Sequence, residues 1–463
     1  MQFELSEAYL EQIKLAISRC DEPYILEQLQ VLHTADLAEI FNELSNEEAK
    51  YLYTHLDEEE AGKVLVEMEE DKREKFLSSL TSKEIAEHID NMASDDAADV
   101  IAELPERVQD EVLSHMEDSG QASDIVDLMN YDQNTAGGLM AKELVKVRVD
   151  GTVRSCVREL RKQAEEIKNI YTIYVVDTGE KLLGLLSLKS LLTTSLGTLV
   201  KDVYNPEIIS VKTNTPAEDV AKIMEKYDLV VLPVTDGLGK LVGRITIDDI
   251  VDVIREEETE DVQRMGGMEA LDEPYMNMVF LQMIKKRIGW LVVLFIGETL
   301  TATAMSFFQD QIEKAVVLAL FVPLIISSGG NTGSQASTLI IRALALGEIT
   351  IGEWWKIIRK ELLVGLTLGV ILGTIGFMRI AIWSAFVTIY GPHWLLVGAC
   401  VGVSLIGVVL WGNIVGSLFP LLLKKVGMDP AVSSAPFVAT MVDVTGLIIY
   451  FTVASIMLRG ILL

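Results

Sequence analysis

Cysteine and histidine are too few and too scattered in this chain to build a redox or transition-metal site. Cys20, Cys156 and Cys400 form no CxxC pair and no metal-ligand spacing, and the five histidines form no cluster. A reduced cytosol suits the soluble part. Neither an ATP-hydrolysing motif nor a nucleophile–base constellation is visible, so an enzyme is not expected. Positive charge is also scarce. Lys and Arg number 39 against 68 Asp and Glu, for a net charge of −29, and no nucleic-acid partner is expected for so acidic a chain. The N-terminus, MQFELSEAYLEQ, is acidic and amphipathic, which argues against a cleavable signal peptide.

What is present divides into two unlike halves. Up to Glu273 there are 60 acidic against 27 basic residues; from Pro274 onward there are 8 against 12. The first half reads as soluble and the second as membrane. Five apolar segments, near Gly289–Phe308, Ala315–Ala345, Leu362–Trp383, His393–Leu423 and Pro436–Leu458, meet the length of about 20 residues that a spanning helix needs. The second and fourth exceed one crossing, so they tilt, break or extend beyond the bilayer. Lys285, Lys286 and Arg287 precede the first span, Arg342, Lys356, Arg359 and Lys360 surround the second connection, and Lys424 and Lys425 follow the fourth. The other side has Lys314, Arg379 and Arg459. The positive-inside rule therefore places the acidic half in the cytoplasm and the C-terminus outside a cell membrane.

One charge dominates the membrane half. Asp443 stands inside PFVATMVDVTGLIIYFTVASIML with no basic residue in its own segment. An Asp at a membrane helix centre costs about 2.5–3.5 kcal/mol, so it should face water or a partner rather than lipid. It is a carboxylate suited to a passing cation. Glu298 in the first span has two readings: a structural ion pair with Arg379, or a second acid that concentrates cations. In the second span the run SSGGNTGSQ (Ser327–Gln335) is expected to interrupt the helix. Its Gly329, Gly330 and Asn331 would line a hydrated cavity, or pack against protein. A phosphate-cradling role is disfavoured by the missing P-loop Lys. Gly365, Gly369 and Gly373, then Gly412 and Gly416, recur at four-residue spacing and read as close helix contacts.

In the soluble half, residues 36–116 are short helical phrases such as NEEAKYLYTHL, EEEAGKVLVEM and SDDAADVIAELP, each too small to be stable alone. Stacking into an α-superhelix is the economical solution. A duplication follows. IYTIYVVDTGEKLLGLLSLKSLL (Ile170–Leu192) matches DLVVLPVTDGLGKLVGRITIDDI (Asp228–Ile250), with Asp177 and Gly184 answering Asp236 and Gly243. This β–β–α alternation, preceded each time by an amphipathic helix, resembles a pair of CBS motifs. A linker helix from about Asp248 to Met265, ending at Gly266–Gly267, carries Asp248, Asp249, Asp252, Glu256, Glu257, Glu258, Glu260 and Asp261. Such a helix is repelled by an anionic leaflet unless divalent cations intervene.

The fold class expected is a multidomain membrane protein: acidic α-superhelical domain (1–136), α+β CBS motifs (137–200 and 201–254), connecting helix and linker (255–282), and a five-span all-α pore domain (283–463). With the strings PLIISSGGNTGSQASTLIIRALALGEI and DPAVSSAPFVATMVDVTGLIIYF, the whole chain resembles the MgtE family of magnesium channels. The resemblance implies a homodimer with a pore on the two-fold axis, where two copies of Asp443, with Ala439 and nearby carbonyls, hold hydrated Mg²⁺. This chain has Ala435 where the family often has Asn, which puts the detail of selectivity in question. The resemblance also implies regulatory Mg²⁺ ligands at Asp95 and Asp99, at Glu218 and Asp228, at Asp249, Asp252, Glu257, Glu260 and Asp261, and at Asp429. Cytosolic Mg²⁺ would then glue the domains and close the pore. CBS pairs can also take adenine nucleotides, so ATP is a second ligand to consider, with no residues fixed for it. The alternatives are a broader Mg²⁺/Co²⁺ transporter and a non-conducting CBS-domain membrane sensor.

Overall fold

The structure, a computed structural model, describes residues 3–461 except 164–166, 168–169, 272–274, 277 and 387. It divides into two compact units, Met1–Arg255 and Glu256–Leu463. The first begins with ten short helices: α1 (Glu7–Arg19), α2 (Glu22–Val31), α3 (Thr34–Asn42), α4 (Asn46–Tyr53), α5 (Glu58–Glu67), α6 (Glu70–Leu77), α7 (Ser82–Ile89), α8 (Ser94–Ala102), α9 (Glu106–His115) and α10 (Ser119–Leu128). Helices this short are marginal alone. They are defined by their caps and by stacking. Ser45 with Glu48, and Thr81 with Glu84, form reciprocal capping boxes at α4 and α7. Packing runs α3 on α5, α5 on α7, α7 on α9 and α8 on α10, the alternation of a superhelix. Arg73 locks it from inside. Its guanidinium grips the Glu103 carboxylate at the end of α8 and donates to the carbonyls of Leu65 (3.2 Å) and Val66 (2.9 Å) in the last turn of α5.

The duplicated segment forms two three-stranded sheets. In the first, β1 (Val145–Arg148) pairs parallel with β2 (Ile173–Val176) and β2 antiparallel with β3 (Leu182–Leu186), flanked by α11 (Val153–Gln163) and α12 (Leu188–Thr193). In the second, β4 (Val211–Lys212), β5 (Val231–Thr235) and β6 (Leu241–Thr246) repeat the pattern around α13 (Ala217–Lys226). The repeated Asp has the same task in both copies. Asp177 Oδ1 accepts the N–H groups of Gly179 and Lys181 (2.7 and 2.9 Å), and Asp236 Oδ1 those of Leu238 and Lys240 (both 2.8 Å), closing each hairpin. The superhelix core runs without a break into the second motif, reaching Val220, Met224, Leu232 and Ile250, whereas the first motif keeps its own core around Val147, Ile173 and Leu186.

The linker helix α14 (Ile247–Met265) ends as expected, with Gly267 in the left-handed region at φ 75°. Beyond it come α15 (Phe280–Phe307), two short helices α16 (Gln309–Lys314) and α17 (Val316–Ala319), then α18 (Val322–Ala345), α19 (Trp354–Ser384), α20 (Trp394–Val426) and α21 (Ala435–Met457). Among the described residues five segments are long and apolar enough to cross a membrane. The second is interrupted between Ala319 and Val322, and Tyr450 Oη of α21 donates to the carbonyl of Leu318 just before the interruption at 2.9 Å.

The expected break at Ser327–Gln335 is absent: α18 runs through it as helix. Ser328 and Thr332 return their hydroxyls to the carbonyls four residues back (2.7 and 2.8 Å), and Asn331 Nδ2 bonds Ser327 Oγ (3.3 Å), so the polar side chains satisfy themselves along the helix. The glycines admit a neighbour instead. A Cβ on Gly412 or Gly416 of α20 would fall 2.4 Å from the carbonyl of Gly329 or 2.1 Å from that of Gly333. Asn413 binds the third span, donating to the carbonyl and carboxylate of Glu361 at 2.8 and 2.7 Å.

Candidate cation sites

Asp443 is half-buried on α21, two turns after the Ser434 cap that receives the Phe437 N–H. Its helix neighbour one turn back is Ala439, and both face Gly330 of α18: a Cβ at 330 would stand 3.3 Å from Ala439 Cβ and 3.4 Å from Asp443 Oδ1. Gly330 is buried; the adjacent Asn331 is exposed. Gly329 points elsewhere, into Val408 and Val442. On the other side α15 presses on α21, with Gly297 against Thr440. That contact brings Glu298 within hydrogen-bonding reach of Asp443. Arg379 is not Glu298's partner; its guanidinium lies 5.8 Å from the Phe321 ring centre. The second reading of Glu298 fits this placement. Two carboxylates side by side repel, and a cation relieves that repulsion. Ser334 Oγ donates to the carbonyl of Ala435 (2.9 Å) and Ser337 Oγ to that of Ser433 (3.0 Å), fixing the start of α21 on α18.

A second group of acids gathers within the first unit. Asp95 at the start of α8 is buried, and Asp96 and Asp249 beside it are half-buried. Burial, then the charges of Asp96 and Asp249, push the Asp95 carboxyl well above the usual carboxylate range. Burial and the Asp249 and Asp99 charges raise Asp96 to about 7. Asp249 rises to about 6, through burial opposed by its hydrogen bonds from Thr246. Glu143 adds to the field while accepting from Ser94 N (2.9 Å) and Ser94 Oγ (3.1 Å), and Arg244 Nε holds the Glu143 carbonyl at 2.6 Å. Asp99, one turn along, is exposed and near Arg73. Among the described residues no three His, Cys, Asp or Glu side chains are placed to ligate one metal ion directly. The group suits an ion that keeps its own waters, as Mg²⁺ does.

Asp96 and Glu143 were not among the sequence candidates. Asp96 was within sight, as the second Asp of SDDAAD. Nothing local marks Glu143, which is brought in by the pairing of Ala141 with Arg244 of β6. Glu218 and Asp228 are both exposed and lie at opposite ends of α13, separated by roughly 15 Å of helix rise. Glu218 is paired with Lys222.

On α14, Asp252 lies 3.7 Å from Arg255. Glu257, Glu260 and Asp261 are half-buried. Arg264 holds Glu260 with one guanidinium nitrogen and Asp429 of the α20–α21 loop with another. In the duplicated motifs Arg244 also covers the Tyr171 ring, 5.3 Å from its centre, beside the buried Tyr174 hydroxyl, which has no hydrogen-bond partner among the described residues.

Comparison with known proteins agrees with this layout. The MgtE profile, described as a divalent cation transporter, matches residues 322–453, the MgtE intracellular N domain matches 32–134, and CBS domains match 136–197 and 200–256. The magnesium transporter MgtE of Thermus thermophilus is 39% identical over 75% of this chain and 76% of its own length. That of Enterococcus faecalis is 35% identical over 74% and 73%. A solved structure described as the cytosolic domain of the Mg²⁺ channel MgtE in complex with ATP superposes with TM-score 0.49 at 33% identity, covering 53% of this chain and 99% of that one.

Proposed function

Since this chain belongs to the MgtE family of divalent cation transporters, we propose that it is a Mg²⁺ channel admitting the ion passively and closed by cytosolic Mg²⁺. The observation that carries the reading is Asp443: a half-buried carboxylate in an apolar helix, facing Gly330 and joined by Glu298. Passive entry is energetically sufficient. A divalent ion gains roughly 4.6 kcal/mol per ~100 mV of inside-negative potential, more than a thousandfold in concentration, without ATP. Asp443 and Ala439 hold the hydrated ion, Gly330 leaves room for its waters, and Glu298 and Asn331 raise the local cation concentration. Mg²⁺ sheds water reluctantly, so outer-shell contacts suit it better than a tight cage.

Closure works through differential affinity for a compact state. The Asp95, Asp96 and Asp249 carboxylates, with Asp99 beside them, repel one another until protons or divalent ions neutralise them. Asp252, Glu257 and Asp261 extend that acidic surface along α14. Glu218, in the first turn of α13, and Asp228, just beyond its last, are too far apart to share an ion and act separately. The assembly is a homodimer in the cell membrane, N-terminus cytoplasmic and C-terminus outside, with the pore between copies. An adenine nucleotide such as ATP is a second ligand of the CBS pair in this reading.

The test is Mg²⁺ entry into proteoliposomes, with little Mg²⁺ on the side bearing the soluble unit. Entry in the wild type that vanishes in Asp443→Ala supports the reading; entry that survives moves the ion site elsewhere. No entry from folded protein favours a membrane sensor. Ala435, which offers no side chain to the ion's waters, favours a broader Mg²⁺/Co²⁺ selectivity as the second reading, and Co²⁺ entry in the same assay decides it.

A further inference from the structure

Both carboxylate oxygens of Asp429 already have a partner. Its Oδ1 accepts the N–H of Ala431 at 2.8 Å, capping the short turn at Pro430–Val432, and its Oδ2 is taken by a guanidinium nitrogen of Arg264. The other arm of that guanidinium is on Glu260, one turn earlier on α14, and the Asp261 charge adds to the pull. One positive side chain therefore spans two of the acids that the regulatory reading assigns to divalent ions. It joins the last turn of the linker helix to the α20–α21 loop. A second contact reinforces it: Gly267, in the left-handed conformation that ends α14, lies beside Ser434 and Pro436, where a Cβ would stand 3.3 Å from Ser434 Oγ.

A divalent ion bridging Glu260 to Asp429 would bring two carboxylates from separate elements together and cancel their repulsion. The guanidinium does both, and it is covalently part of the helix, so its effective concentration does not fall with the Mg²⁺ level. Charge-assisted arginine–carboxylate hydrogen bonds are also stronger than neutral ones.

We propose that Arg264 is a built-in substitute for a regulatory ion: it keeps the membrane end of the linker helix docked on the α20–α21 loop whether or not Mg²⁺ is present. The ion-dependent part of the helix then lies upstream, on the turns carrying Asp249, Asp252 and Glu257, and moves about a fixed lower end. This rests on α14 being the regulatory element of the proposed channel. Arg264 is a positioning residue here, acting through Glu260 and Asp429 and touching no transported ion.

The experiment uses the full chain with Cys20→Ser, leaving the two buried cysteines, and spin labels at Val262→Cys and Val426→Cys. Both positions are exposed, at 65% and 76%. Distances are read by pulsed electron resonance in EDTA and in millimolar Mg²⁺. The wild type is expected to give the same narrow within-protomer distance in both, identified in the dimer by diluting labelled with unlabelled chain. In Arg264→Gln the docked fraction in EDTA should fall about tenfold, the effect of roughly 1.4 kcal/mol, and Mg²⁺ should restore it by taking the vacated carboxylates. Arg264→Lys should keep the docked distance in EDTA, which separates lost charge from lost packing. Should Arg264→Gln fail to fold, Glu260→Gln loosens the same tether from its other end and should broaden the EDTA distance. A docked distance that persists in Arg264→Gln without Mg²⁺, or a wild type that undocks in EDTA, overturns the proposal. A wild type without Mg²⁺ flux or Mg²⁺-dependent closure would remove the channel reading alone, because the distances do not depend on transport.

Discussion

Gly330 of α18 lies against Asp443 of α21 so closely that one added methyl group would stand 3.4 Å from the carboxylate oxygen. The gap beside that oxygen is the space of a missing side chain. Filling it tests the site without touching the charge. Gly330→Ala is expected to keep the protein folded, because the contacts at 3.3–3.5 Å ask a neighbour to give by only a few tenths of an ångström. Mg²⁺ entry should fall by about threefold to tenfold, while Asp443→Asn should remove nearly all of it. Entry unchanged in Gly330→Ala would mean that the ion's water shell does not use this gap.

Gly412 and Gly416 are less forgiving. An alanine at either would place Cβ at 2.4 or 2.1 Å from a carbonyl oxygen of α18, and backbone cannot step aside as a flexible side chain can. Overpacking of this kind costs about 1–3 kcal/mol, and more where two helices must separate. Gly416→Ala is expected to lower the midpoint of thermal unfolding in detergent by several degrees. Gly407→Ala on the same helix meets its nearest atom, in the Ile449 side chain, at 3.3 Å and should change it little. Equal midpoints in the two variants would contradict the close helix contact.

The acids of the soluble unit predict a pH dependence with a definite sign. Asp96 and Asp249 hold their protons up to about 7 and about 6, well above an ordinary Asp, and Asp95 is raised too. In the pH window from about 4 to 7 the folded unit thus binds more protons than the unfolded chain, and its stability falls as pH rises. Without Mg²⁺, resistance to protease should be highest near pH 5 and lost toward pH 7.5. Mg²⁺ should restore it at the higher pH and release protons as it does so. Asp96→Asn should flatten the profile. Protection that instead rises with pH in the absence of Mg²⁺ would show that these groups are not in repulsive contact.

Arg73 and Glu103 form a largely buried pair, each side chain 13% exposed. Glu103→Gln leaves a cation facing a neutral partner inside the superhelix, and loss of one member of a buried pair costs about 3–5 kcal/mol. Thermal unfolding of the soluble unit should drop markedly. The exposed pair Lys83–Glu87 provides the contrast, since surface pairs are worth about 0–1 kcal/mol, and Lys83→Ala should be nearly silent. A Glu103→Gln protein as stable as Lys83→Ala would show that the pair contributes no net stability.

Periodicity and length made the large features legible. The five spans, the stacked short helices and the paired Asp177/Asp236 turns each repeat a local physical rule often enough to be seen in one sequence. The polar run of α18 misled for an identifiable reason. Gly, Ser, Thr and Asn oppose helix in water, but in a packed membrane helix the hydroxyls of Ser328 and Thr332 turn back on the backbone and the glycines receive α20. At the candidate sites, Asp443 could be found because a lone carboxylate in an apolar segment is conspicuous. Asp96 is visible as the neighbour of Asp95, whereas Glu143 carries no local mark, because strand pairing brings it to Asp249 across a long sequence separation. Arg264 stayed hidden among eight acids on its own helix; only the folded loop shows that Asp429 is its second partner.

Where Gly412 and Gly416 meet Gly329 and Gly333, main chain rests on main chain with no side chain between. Side chains are what usually cushion a sliding contact, by hopping rotamers. This one has none to hop, so α18 and α20 lack slack and shift together as a single strut. Any widening beside Gly330 must then come from α21 and the lightly held α15 moving relative to that strut.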